Sequence, residues 1–501
     1  MVFASIRNIV RKCVDSPRCP GLREEQGLAV LLALIALSLF SLISFFMVLG
    51  ANTELHISDN RESQIQAHYA AMAGLVHTRE VIRGLQYNDL LKGPDGTYTN
   101  TPAYLSQART FSFRNPVSWA TARSLNIVNP SGDLSGLPDD GLLSTGKYNS
   151  TNGTPLIPLA GIAQTAPNPY GAGTVTTSRY FVRVADNNGE ASELAADASN
   201  NPFVDGDGII VVRSMGVAQT IRQVTAGVVR RNSVAVVESR FRQSSTFRLS
   251  CPLVIEGNQV NASFNGNAFG ISGGSAPGIG TIDTNTGDSN YPDQILKSAA
   301  GKKGSITGGG LPTPSVQDIT AGVSSDPDTA QLMDPNYLWN FVNNVVPKFA
   351  DTVYNGNQKW AGGSAPYIGT YDETKPYNAP GQDPKVILVN GDLETSGNLV
   401  GGGLLVVTGS LKLNGRFEYH GLVLAIGGGN VDAGGLNRGI YGGMFVANVT
   451  YSGGTASFGT PTFSMSGNSN IYTNSDALNM SVGLIPALQL SYREITSDLD
   501  P

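Results

Sequence analysis

The chain has 501 residues, of which 60 are glycine, 8% are aromatic and only 14% are charged. A chain of this length outgrows one ordinary core, so two or three folded units are expected, and the glycine-rich, charge-poor composition points to β structure rather than disorder. The formal net charge is −6, and without a basic cluster in the body nucleic acid is excluded as the main partner.

Residues 1–27 hold five basic and three acidic side chains, which leaves 28 basic against 36 acidic in the remainder. Cys13 and Cys19 lie in this leader and Cys251 stands alone beyond it, so no disulfide can form within the rest of the chain. His56, His68, His77 and His420 show no ligand spacing beside a cysteine, and no metal or cofactor is expected. From Leu28 to Leu49 there is neither a charge nor a proline, a stretch long enough to cross a bilayer as a helix. Ser38, Ser41 and Ser44, its polar residues, are spaced to back-bond to their own helix. Arg7, Arg11, Lys12, Arg18 and Arg23 precede it, which leaves residues 1–27 cytoplasmic and the body outside the membrane. A secretory signal cut near Ala51 would call for a shorter apolar stretch.

No proline occurs from Gly21 to Gly93, and "LKGPDG" (Leu91–Gly96) then stops the helix. A transmembrane and stalk helix over 28–92 is therefore expected, with Ile65, Tyr69, Met72 and Val76 on one apolar face. The stretches "EQGLAVLLALIALSLFSLISFF" and "NRESQIQAHYAAMAGL", within residues 23–85, resemble the PilX N-terminal family of minor type IV pilins and pseudopilins. The resemblance implies cleavage by prepilin peptidase on the cytoplasmic side of Gly27–Leu28. It implies as partners other pilin or pseudopilin subunits, that peptidase and an inner-membrane assembly platform. It also assigns the small residues Ala67, Ala70, Ala71, Ala73 and Gly74, followed by Leu75, to close helix packing in assembly. The implied location is the bacterial inner membrane, with the body periplasmic or carried outside in a filament. One position departs from the major pilins, which carry a glutamate shortly after the cut. Leu32 is apolar, which suits a minor subunit at a tip or in a priming complex.

Further on, 93–175 reads as loop, and strands are expected at 178–190, 205–216 and 219–232. With the stalk they would make a pilin-like antiparallel head over 93–233. Asp186, Glu190, Asp205 and Asp207 gather at two turns, but their spacing is not that of an EF-hand, and turn formation is the expected role rather than calcium binding. A Gly-rich domain is expected over 234–501. "MDPNYLWNFVNNVVPKFADTVY" offers Asp334 as N-cap, Pro335 at the first helical position and an apolar face of Leu338, Phe341, Val342 and Val345, hence a packed helix about 335–354.

The most regular segments then repeat: 386–398, 404–416 and 422–434 align Gly391, Gly409 and Gly427 at eighteen-residue steps, and Gly397 and Gly415 share the step. Less regular copies follow at 442–454 and 463–474. The fold class expected is therefore α+β, with the long helix and antiparallel head followed by a parallel, β-helix-like solenoid. Apolar columns on both faces of these strands predict one face in the interior and the other under the 335–354 helix. Because such folds host polysaccharide-active enzymes, Asp392, Glu394, Arg416, Glu418 and His420 were weighed as catalytic groups. Alternating with aromatics or set on an outer face, they read as solvated side chains, and there is no phosphate-binding loop or nucleophile triad. The expectation is a structural subunit and not an enzyme. The alternative is a membrane-anchored envelope or adhesion protein that does not polymerise.

Overall fold

The computed structural model describes residues 22–83, 87, 123, 164–167, 174–187, 207–224, 227–265, 268–284, 291–299, 301, 305–372, 374, 382–434 and 439–496. The leader as far as residue 21, the helix stop at Leu91–Gly96 and nearly all of the 93–163 loop region lie outside the described residues. The chain begins with helix α1 (Leu22–Val81), then β1 (Gln164–Pro167), β2 (Thr174–Asp186), β3 (Ile209–Val224) and β4 (Gly227–Arg242). Next come β5 (Leu253–Gly257), β6 (Asn261–Asn265), β7 (Gly270–Ser272), β8 (Ile279–Asp283), α2 (Tyr291–Ser298), β9 (Ile306–Thr307), β10 (Val316–Asp318), α3 (Thr320–Ser325) and α4 (Pro335–Asn340). Strands β11 (Thr352–Asn355), β12 (Gln358–Ala361), β13 (Lys385–Asn390), β14 (Leu393–Ser396), β15 (Asn398–Val407), β16 (Ser410–Leu413), β17 (Arg416–Gly427) and β18 (Asn430–Ala433) follow. The chain closes with β19 (Gly439–Ser452), β20 (Thr455–Phe458), β21 (Thr462–Ser466), β22 (Asn470–Thr473), α5 (Ser475–Gly483) and β23 (Leu488–Ile495).

Helix α1 runs 60 residues, about 90 Å at 1.5 Å per residue. It starts at Leu22, inside the expected leader, so Gly27 is a helical position. Against it packs a five-stranded antiparallel sheet in the order β1-β2-β3-β4-β23. The strand expected at 219–232 is not one strand. Val224 pairs with Gly227, so 219–224 completes β3 and 227–232 opens β4. The larger correction concerns the boundary at 233/234, which falls inside β4. The last strand, β23, returns from the far side of the excursion to pair with β4, Leu488 opposite Arg242.

A buried carboxylate holds that return. Glu238 on β4 accepts from Arg213 of β3 and, at 2.7 Å, from Nε of Arg493 on β23. Burial pushes its pKa up, but the two guanidiniums outweigh burial and leave it below the ordinary value. It is therefore an anion shared by three neighbouring strands.

The excursion itself is built of parallel sheets. In one, β11, β13, β15, β17 and β19 lie side by side; in a second, β12, β14, β16, β18 and β21 do so. Val386 pairs with Leu404 and Leu404 with Leu422, so the eighteen-residue step of the sequence is the register step between adjacent strands. Ile387, Val389, Leu405, Val407, Val423 and Ala425 share one buried cluster. Leu388, Val406 and Leu424 share another with Leu338, Phe341 and Val342. The side chain of Asp334 accepts from the Asn336 N–H and Pro335 occupies the first turn. The helical segment continues past Asn340 only to Lys348, with Thr352–Asn355 already in β11, so the helix expected over 335–354 stops at 348 and the end of that range is strand. Gly415 shows why the turns are glycine: its φ is +77° and a Cβ there would lie 2.4 Å from the Gly397 nitrogen.

The stack is assembled from two runs that meet at a seam. The first leaves from β5 outward through β8 to β10; the second starts at the far end with β11 and winds back to β19, which pairs in parallel with β5, Met444 opposite Leu253. Glu256 sits on that seam between Ala447 and Ile282, fully buried, and neither carboxyl oxygen finds a hydrogen-bond partner among the described residues. Desolvation pushes its pKa well above the ordinary carboxyl range. A raised folded-state pKa means that stability present below the unfolded value is lost as pH rises toward the folded one. Glu256→Met removes the ionisable group while keeping the volume. The variant should melt increasingly above the parent chain as pH goes from 4.5 to 8.5, by about 1–3 kcal/mol at the upper end. A pH-independent difference in thermal melts of the full chain in detergent would contradict this account.

Candidate functional site: the stalk helix

Residues Leu28–Glu54 of α1 form a 27-residue stretch long and apolar enough to cross a membrane, with none of its most apolar window buried in the protein. Ser38 donates to the Ile35 carbonyl at 2.8 Å and Thr53 to that of Leu49 at 2.8 Å, which satisfies both hydroxyls within the helix. Leu32 and its neighbours Leu31 and Leu34 are exposed. Gly27 and Leu28 lie in regular helix at the start of this stretch.

Beyond the span the helix has two faces. Ala67, Ala70, Ala71, Gly74, Leu75 and Thr78 are buried against the antiparallel sheet, while Ala73 is exposed. The approach is backbone to backbone: a Cβ on Gly216 of β3 would fall 1.9 Å from the Ala67 carbonyl oxygen and 2.4 Å from the Ala71 nitrogen. From the helix side, a Cβ on Gly74 would fall 2.1 Å from the Ser214 hydroxyl and 2.9 Å from the Tyr180 ring. Polar bonds fix the register around this contact. Ser63 and Thr220 hydroxyls meet at 3.0 Å, and Gln64 donates to the Val234 carbonyl at 3.3 Å. Tyr180, whose phenol burial keeps protonated, meets Nδ1 of His77. The small residues, Ala73 excepted, thus pack on this chain's own sheet.

The opposite face carries the large apolar side chains. Ile65, Tyr69 and Val76 are exposed, Tyr69 by 68%, and only Met72 of the expected apolar set packs on the head cluster. Ile57 is exposed as well, but about a quarter turn or more round the helix from the Tyr69 side. Hydrophobic periodicity picked out this face, but not its direction. The buried face is legible only as a small-residue spacing, 67, 70/71, 74 and 78, because a glycine on the sheet admits nothing larger.

The carboxylates and histidine weighed as catalytic groups do not converge. Glu394 is flanked on adjacent strands by Lys359 at 3.1 Å and Lys412 at 4.0 Å. Asp392 accepts from the Ser410 N–H at 2.7 Å. Glu418 and His420 bond to each other at 3.2 Å on β17, in the other sheet, where His420 stacks on Tyr441 with ring centres 4.9 Å apart. Arg416 is exposed. At the two acidic turns, Asp207 accepts from the Ile209 N–H and from the Asn187 amide. Asp186 is buried at the end of β2, and Glu190 and Asp205 lie outside the described residues. Among the described residues no three His, Cys, Asp or Glu side chains gather where they could hold a metal.

No protein-family model matches the chain, and no curated protein matches it. Among solved structures, the competence-associated pilin ComZ from Thermus thermophilus aligns with 86% of this chain and 97% of its own, at 11% identity and a TM-score of 0.16. At that score the likeness carries no argument.

The sheet–helix contact makes a sharp test. Gly216→Val should cost several kcal/mol by forcing helix and sheet apart. Gly322→Ala, where an added Cβ meets nothing within 4 Å, should be neutral or slightly stabilising. Thermal melts and protease cleavage within 55–81 would read both. Equal behaviour of the two variants would refute the close-approach account.

Proposed function

We propose that the chain is a membrane-anchored, pilin-like minor subunit of a type IV pilus or type II secretion pseudopilus, acting in assembly, priming or tip decoration. One observation carries the reading. On the stalk, the apolar patch of Ile65, Tyr69 and Val76 is left uncovered, although the protein has a sheet packed on the same helix. An apolar patch about three helical turns long outside the bilayer calls for a partner, and a second long helix is the shape that fits. In this reading the stack inserted between β4 and β23 is a β-solenoid, displayed outside the cell as a spacer or adhesive domain, and the chain has no catalytic function. Prepilin peptidase cleaves Gly27–Leu28, and the assembly platform extracts the mature chain from the inner membrane. Leu32, in place of an acidic residue, removes the pairing that a bulk repeat subunit would make with a neighbour's amine.

Two measurements test it. Gly27→Val should accumulate a precursor about 3 kDa larger than the mature chain. N-terminal sequencing that finds functional protein starting before Gly27, or near Ala51, would overturn the processing step. Tyr69→Lys lies on the exposed stripe, so it should leave the melting temperature unchanged while lowering the number of copies in sheared filaments on the order of tenfold. The parent chain should be present far below one copy per major subunit. Absence from filaments, with no effect of Tyr69→Lys on any complex, would favour the envelope protein that does not polymerise.

A further inference from the structure

The chain crosses between the antiparallel sheet and the inserted stack twice, at 242–246 and 485–488, and both crossings border one cleft of about 560 Å³. That volume is within the range of small-molecule sites, roughly 300–1,000 Å³. The end of the stalk, both crossings and the α4 segment supply its walls. Arg242 is already neutralised, by Asp328 at 2.7 Å, and Asp328 also accepts from Ser245. Arg79, from the last turn of α1, and Lys348 border the same cleft, and neither has an acidic partner among the described residues. The cleft therefore carries two uncompensated positive charges in a protein whose net charge is −6.

Two further features narrow what would satisfy those charges. Gln331 and Ser244 line the cleft, and neither side chain has a hydrogen-bond partner among the described residues. Tyr337 presents a half-buried ring, backed by Phe341 at an interplanar angle of 18°, and burial keeps its phenol neutral. The cleft so combines an anion site, an amide and a hydroxyl for neutral oxygens, and a flat apolar surface. Inorganic phosphate would leave the flat ring unused, and an aromatic carboxylate brings no hydroxyl donors for the Gln331 carbonyl oxygen. A sugar ring bearing a carboxylate uses all three, its hydroxyls on Gln331 and Ser244 and its C–H face on Tyr337.

We propose that this cleft is a binding site for an acidic saccharide, recognised at the junction of head and stack by Arg79, Lys348, Gln331 and Tyr337. The inference is independent of whether the chain polymerises. The probe is a trigalacturonate, titrated calorimetrically into the full-length protein in detergent, with maltotriose and inorganic phosphate as comparators. Trigalacturonate should bind saturably, at least about tenfold tighter than maltotriose, and more weakly as salt is raised. Arg79→Ala combined with Lys348→Ala should weaken it about tenfold or more, whereas Lys359→Ala with Lys412→Ala, two cations elsewhere on the surface, should leave it unchanged. Gln331→Leu should weaken the saccharide by more than it weakens phosphate binding. Absence of saturable trigalacturonate binding, equal affinity for maltotriose, or retained affinity in the Arg79/Lys348 variant would overturn the proposal. An unchanged Gln331→Leu would do the same, since it would reduce the cleft to a general anion patch.

Discussion

One contact decides what this molecule shows to its surroundings: the backbone of α1 lying directly on β3 at Gly216. With a Cβ there only 1.9 Å from the Ala67 oxygen, no side chain other than hydrogen is tolerated on the sheet, and only Ala or Gly is comfortable on the helix. The sheet therefore claims the narrow, weakly hydrophobic face of the stalk, and the broad face with Ile65, Tyr69 and Val76 is turned outward. Placing Leu or Ile at 67 or 71, opposite Gly216, would bury more apolar surface, at about 25 cal/mol per Å². It would also hold the helix away, and the polar pairs at Ser63–Thr220 and Gln64–Val234 would be lost. Close packing recovers part of that difference through dispersion and hydrogen bonding. The outcome is a helix that is fully engaged on one side and free on the other.

The second constraint is topological. An excursion of more than two hundred residues between β4 and β23 can be accommodated because its two ends are paired neighbours, Leu488 opposite Arg242. Closing it adds little strain to the sheet, and loop-closure entropy grows only logarithmically with length. The shared anion at Glu238 makes the return strand an integral part of the sheet rather than a tail. Because it is a buried group held by two cations, its value lies in fixing which strand pairs where more than in net stability. The stack meets its own seam at β5 and β19 with a carboxyl that has no hydrogen-bond partner among the described residues. The join of the two runs thus rests on apolar packing and the main-chain ladder.

What was legible in the sequence was what is local or periodic. The span from Leu28 is visible because 22 residues lack charge and proline; the stack register is visible because the step of eighteen repeats from Gly391 to Gly427. The Asp334–Pro335 helix start is likewise readable from two adjacent residues. The antiparallel strands were placed roughly, but 219–232 was read across a hairpin, since Thr225 and Ala226 carry none of the usual turn signals. Nonlocal pairings left no trace. Nothing in "LQLSYREI" says that it belongs beside β4, and nothing in "LVIEG" says that it joins β19. The set of Ile65, Tyr69 and Val76 is legible as one face but not as to what covers it, because periodicity reports that a helix has an apolar face and is silent about its partner.

The two faces of the stalk also bear on how such a subunit could be handled by a membrane. A helix that is apolar all round for its first half, and on one side only for its second, fits a bilayer below and a groove between other helices above. The sheet on the small-residue side sets a limit, since any neighbour must approach from the Tyr69 side. On that side the apolar patch of Ile65, Tyr69 and Val76 is separated from the span by Glu54, Ser58, Arg61 and Glu62, so a partner helix would meet the patch outside the bilayer. On the proposed pilin-like reading, Leu32 would remove the point at which a buried acid fixes the depth of the helix, and register against neighbouring helices would be set by the shape of the Tyr69 patch and by the bulk of the head and stack.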